Sequence, residues 1–193
     1  IQAWYFRLTF EQQRWSEGNR NIGKKSTAFA IETNPMTTLT LLAVFAHPDD
    51  ETFRAGGLLA LLAKQGVKVQ ILTATRGEAR STEQTDAPTP RELTILRERE
   101  LHCACRVSKI NPPMILDFKD GHWAGLGAGL LCGELLKFVN EVNPQVMLSF
   151  GPDGLSGLRD HIAIVCAWMM FFGISIKLEF SIIWLFRFRL KKP

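Results

Sequence analysis

The segment His47-Pro48-Asp49-Asp50-Glu51 gathers an imidazole and three carboxylates at the end of an apolar run. His47 and Asp50 stand three residues apart at a strand-to-helix turn, so both side chains can reach one point. Imidazole plus carboxylate suits Zn²⁺, and a catalytic zinc site usually combines three protein ligands with one open position for water. Asp49, lying between the two, is then free to act as a base on that water. A further histidine must come from elsewhere in the chain, and the candidates are His102, His122 and His161. His102 sits within a helical stretch and reads as structural. His122 can line a cleft but lacks a neighbouring carboxylate, whereas His161 is preceded by Asp160. A purely structural reading, in which the acidic residues cap a helix start, accounts for one or two carboxylates. Three in a row repel one another unless a cation sits among them.

The elements that must position these groups alternate along the chain. Residues 39–46, 67–73, 114–118 and 146–150 read as four apolar strands, and 52–65, 91–105 and 130–142 as helices between them. Short apolar strands alternating with helices imply parallel pairing through crossovers covered on both faces. The expected fold is therefore α/β, a Rossmann-like parallel sheet with helices on both faces, incomplete at its C-terminal end. In such sheets the active site lies beyond the carboxyl ends of the strands. His47 to Glu51, Arg76-Gly77-Glu78, Asp120-Gly121 and residues 153–161 follow strands one to four in turn, so the polar groups of interest fall on one edge.

The 193 residues, 46% of them hydrophobic, suffice for one α/β domain and are too few for two comfortable ones. The net charge of +4 belongs to the flanks: residues 36–161 hold 13 Lys+Arg against 15 Asp+Glu, while residues 162–193 hold 5 against 1. A nucleic-acid protein would carry its basic charge on the working domain, so nucleic acid is not expected as a partner. Cys103, Cys105, Cys132 and Cys166 form no Cys-x-x-Cys pair. They read as free thiols of a reducing, cytoplasmic compartment. Three zones follow: an N-terminal extension (1–35), an α/β domain (36–165) and an apolar, basic tail (166–193). The extension has no apolar run and cleavage site of the kind a signal peptide carries. Residues 162–176 are uncharged, yet fifteen residues fall short of the roughly 20 that span a bilayer, so membrane association is not favoured.

Ala46-His47-Pro48-Asp49-Asp50-Glu51, Gly56-Gly57 and Thr75-Arg76-Gly77-Glu78 together resemble the PIG-L / LmbE-like deacetylase family. Arg97-Glu98-Arg99-Glu100-Leu101, Asp120-Gly121 and Gly154-Leu155-Ser156-Gly157 continue the resemblance in the family's order, over about residues 39–165. The resemblance implies a metal-dependent deacetylase acting on an N-acetylglucosaminyl compound, a small amino-sugar conjugate. It implies Zn²⁺ held by His47, Asp50 and His161, with Asp49 as general base and Arg97 and Asp120 as sugar contacts.

Two features depart from the family pattern. Its second motif usually reads His-Pro-Asp-His, and here the four positions are Leu158, Arg159, Asp160 and His161. The leucine replaces a histidine that stabilises developing negative charge in the family, and losing one such donor costs about 10²–10³ in rate. The chain also enters an apolar run where relatives continue with further strands and helices. A catalytically impaired member that keeps fold and metal as a binding protein is therefore the alternative reading. A nucleotide-binding domain would need a glycine-rich turn after strand one, where this chain places carboxylates. Two histidines and a carboxylate also suit Fe(II), which leaves the metal's identity to elemental analysis.

Overall fold

Apolar runs become strands here, and the central ones are covered on both faces. Leu41 to Phe45 of β1 (Thr40–Phe45) are consecutive and each at most 1% exposed. A strand achieves that only inside a sheet packed on both sides. The structure is a computed structural model, and it describes residues 38–79, 88–122, 128–151, 153–174 and 181–185. All lie in the unit Thr33–Pro193; the expected extension 1–35 falls outside the described residues.

Four strands expected from sequence form β1, β2 (Lys68–Thr75), β3 (Met114–Phe118) and β4 (Val146–Phe150). A fifth, β5 (Ser181–Leu185), joins them from the tail. All pairs are parallel, in the order β3-β2-β1-β4-β5. The chain runs outward from β1 in one direction, then returns and runs outward in the other. The crevice between the carboxyl ends of β1 and β4 is thus the topological switch point, where open α/β sheets bind ligands.

The helices are α1 (Gly56–Lys64), α2 (Pro90–Val107), α3 (Ala128–Val142) and α4 (Arg159–Ile174). Helix α1 packs on β2, and α3 and α4 pack on each other and on β1. Leu59, Ile71, Leu101, Leu135 and Trp168 are among the fully buried side chains that join these layers. Helix α2 starts with a capping box: the Thr89 hydroxyl accepts from the Glu92 N–H, and the Glu92 carboxylate accepts from the Thr89 N–H. Pro90 at its first position loses no intrahelical bond.

Two differences from the sequence reading bear on the site. The expected helix 52–65 is divided: a π-helical turn (Glu51–Ala55) precedes α1. Such wide turns occur mostly as single turns, frequently at functional sites. Residues 162–174 of the uncharged run, for which no helix was expected, form the body of α4. Among the described residues no helix is long and apolar enough to cross a membrane.

Candidate metal and catalytic site

The carboxyl ends of β1 and β4, with the start of α4, bring three candidate ligands together. The ligand atoms of His47, Asp50 and His161 all lie within 4.8 Å of one another. His47 Nδ1 is 3.5 Å from Asp50 Oδ2, and His161 Nε2 is 3.3 Å from the same oxygen. Asp50 and His161 are buried.

His161 is held from three sides. Its ring stacks on Phe150, the last residue of β4, with centroids 4.1 Å apart. Its Nδ1 is 3.0 Å from the Gly154 carbonyl oxygen and 2.8 Å from Ser156 Oγ. A carbonyl only accepts, so the bond to Gly154 places a proton on Nδ1 and leaves Nε2 as the ring nitrogen that can meet a metal ion. That Nε2 is buried, has no hydrogen-bond partner among the described residues, and faces the Asp50 carboxylate. A buried carboxylate set between two imidazole rings calls for a cation, a proton or a metal ion, in the space they share. The residues present therefore fit a metal ion, and a ring nitrogen fixed by a backbone carbonyl is the usual support of a histidine ligand.

His47 is held from its far side by carboxylates. Its Nε2 lies 3.1 Å from Asp120 Oδ1 and 3.2 Å from Asp160 Oδ2. Asp160 Oδ2 also accepts from the Gly121 N–H at 2.9 Å, and Asp120 Oδ2 from the Ala79 N–H at 3.0 Å. Burial alone would lower the His47 pKa, but Asp120, Asp160 and Asp50 together raise it to about 11. Asp50 is opposite in sign: burial would raise it, yet His161 and His47 hold its carboxyl well below the ordinary range. It is a carboxylate at any pH near neutral.

Asp49 is set apart from these ligands. Its φ of 134° lies in a region that side chains other than glycine rarely adopt, which marks strain. Its N–H donates to Glu51 Oε2 at 3.0 Å, and Arg97 Nη1 donates to its Oδ2 at 3.0 Å. Partial burial raises the Asp49 carboxyl, neighbouring Asp50 adds to the rise, and Arg97 and His47 oppose it. Glu51 is buried, with its other oxygen accepting from the Thr52 hydroxyl at 2.6 Å. The three consecutive carboxylates thus divide: one faces the histidines, one faces Arg97, and one is satisfied inside the loop.

The remaining candidates are placed as follows. Arg97 and Asp120, expected at the sugar, are engaged with Asp49 and His47 in this structure. His102 is exposed on α2; His122 is exposed too, its Nδ1 3.0 Å from the Asp120 carbonyl oxygen. Leu158 is 53% exposed just before α4.

With this geometry in hand, the sequence matches a family model described as GlcNAc-PI de-N-acetylase, PIG-L, over residues 42–171. The chain belongs to the PIG-L family. It is 31% identical over 150 residues to a 1D-myo-inositol 2-acetamido-2-deoxy-alpha-D-glucopyranoside deacetylase of Rhodococcus jostii, covering 67% of this chain and 51% of that one. It is 32% identical over 114 residues to a probable N-acetyl-alpha-D-glucosaminyl L-malate deacetylase of Bacillus cereus, covering 58% and 52%. Among solved structures, an N,N'-diacetylchitobiose deacetylase from Pyrococcus horikoshii superposes with a TM-score of 0.62 at 20% identity, covering 72% of this chain and 52% of that one. At that identity the likeness shows the PIG-L fold alone. The chain spans about half the length of the curated family members it matches.

Several supporting groups carry weak sequence signals. Asp160 is visible beside His161 and Ser156 within Gly-Leu-Ser-Gly, but nothing in their spacing tells that one holds His47 and the other His161. Phe150 reads simply as the end of a strand. Glu51 reads as part of the acidic cluster, and only its hydrogen bonds show that it braces Asp49.

Proposed function

We propose that this chain is a zinc-dependent hydrolase that removes the acetyl group from an N-acetylglucosaminyl-type substrate, an N-acylated amine. The buried, unpartnered Nε2 of His161, facing the Asp50 carboxylate beside His47, carries the reading. His47, Asp50 and His161 would hold the metal, which when bound polarises an amide carbonyl and lowers the pKa of water towards 7. His47 would present Nδ1, the nitrogen nearer Asp50, while Asp160 and Asp120 retain the Nε2 proton. Asp49 is the general base. Its raised carboxyl accepts a proton from water more readily than an ordinary aspartate and can pass it to the leaving amine. Arg97 and Asp120 border the base and the His47 ring, where they can meet sugar hydroxyls.

Release of acetate from N-acetylglucosamine derivatives, measured with and without a chelator, tests this reading. Chelator-sensitive release that falls by about 10²–10⁴ in Asp49→Asn supports it. Turnover indifferent to chelation refutes it. Leu158 favours a second reading, a metal-binding family member with impaired catalysis. Stoichiometric zinc in the purified protein without acetate release would select that one, and elemental analysis also separates zinc from iron.

A further inference from the structure

Arg97 and Asp49 are 48 residues apart in sequence, yet the guanidinium of one donates to the carboxylate of the other. The Asp49 backbone is already committed. Its N–H is held by Glu51, and its carbonyl accepts from the N–H groups of Thr52 at 3.0 Å and Phe53 at 2.9 Å. What remains to be aimed is the carboxylate, and Arg97 Nη1 holds it at 3.0 Å.

The stem of Arg97 runs beside Gly77. This glycine has φ +70°, and a Cβ built there would lie 3.1 Å from Pro48 Cδ and 3.5 Å from Arg97 Cγ. A Cβ there would crowd Pro48 and meet the arginine stem at ordinary contact distance, so Gly77 packs between the loop's proline and Arg97. One residue away, Arg76 pairs with Glu98, the neighbour of Arg97, and donates from Nε to Asp117 at 2.7 Å. Arg76 thus ties α2 to the ends of β2 and β3 beside the slot that Gly77 leaves open.

We infer that Arg97 is a positioning residue for Asp49, seated by Gly77 and Arg76, and that it acts on the base as well as on any sugar it meets. The inference rests on Asp49 being the base of the proposed hydrolase. A guanidinium has five N–H donors, so a bond to Asp49 leaves others free. Both side chains keep about a third of their surface exposed, 35% for Arg97 and 37% for Asp49, so a ligand can still reach the pair.

Steady-state kinetics of the zinc-loaded chain separate positioning from sugar binding. Arg97→Met should lower kcat by about 10- to 100-fold with a smaller change in KM, as misplacing a reacting group does. Arg97→Lys, which keeps the charge but not the fork, should recover part of that loss. A rise in KM at unchanged kcat would overturn the inference and leave Arg97 a sugar contact. A readout free of catalysis is the double-mutant cycle of Asp49→Asn and Arg97→Met on the unfolding midpoint of the metal-free protein. Non-additive effects support the pair, and additive ones overturn it. If wild type releases no acetate, the hydrolase reading fails on its own, and the cycle still decides whether the pair exists.

Discussion

In the metal-free fold His47 carries a proton, because three carboxylates surround a partly buried ring and raise its pKa to about 11. A metal ion at Nδ1 must displace that proton, so the ion and the proton compete. The sign follows: as pH rises the proton is more easily removed, and apparent zinc affinity should increase by about tenfold per unit where one proton is released. Competition against a chelating indicator between pH 6.5 and 8 measures it. A flat affinity would mean that His47 is not the displaced group. At Leu158 the expectation concerns rate. Leu158→His restores a donor at the position where the family has one, and kcat should rise by about 10²–10³. An unchanged kcat would show that this chain stabilises the developing charge in another way. The acidic loop was legible at this scale because residue type and spacing mark a candidate ligand set directly. The pairing of Asp120 with His47 was not, because it depends on where two separate strands end.

Helix α2 carries Arg97 to the site, and its first turn is secured by local chemistry. Thr89→Ala removes the hydroxyl that accepts the Glu92 N–H and should cost about 1 kcal/mol. Urea unfolding reads the loss, and faster amide exchange over residues 91–94 would assign it to the helix start. Strands were legible as elements because four apolar runs of strand length end in turn residues. The π-helical turn at Glu51–Ala55 was not, since no local pattern separates its wider hydrogen bonding from that of an α-helix. Nor was β5. An apolar stretch of that length suits a strand or a buried helix equally until a partner is known.

The whole sheet depends on what borders β4. This strand is buried along its full length and is flanked by β1 and β5. Ending the chain at Ile174 would strip β5 and turn β4 into an open edge, a template for pairing between molecules. Self-association in size-exclusion chromatography and a less cooperative unfolding transition are the expected results. A monomeric, cooperatively unfolding product would show that β5 is dispensable. Sequence by itself determined that the polar motifs share one edge: parallel crossovers return every strand in the same direction, so every strand-end loop lies on the same side. It also put forward the candidate ligand types, an imidazole and a carboxylate three residues apart. Tertiary structure alone decided that Asp160, 113 residues from His47, steadies its ring, and that Arg97 reaches Asp49 past a glycine. Those partners meet through strand register, its shift between Thr73 and Thr75, and the seating of α2, and local spacing encodes none of these.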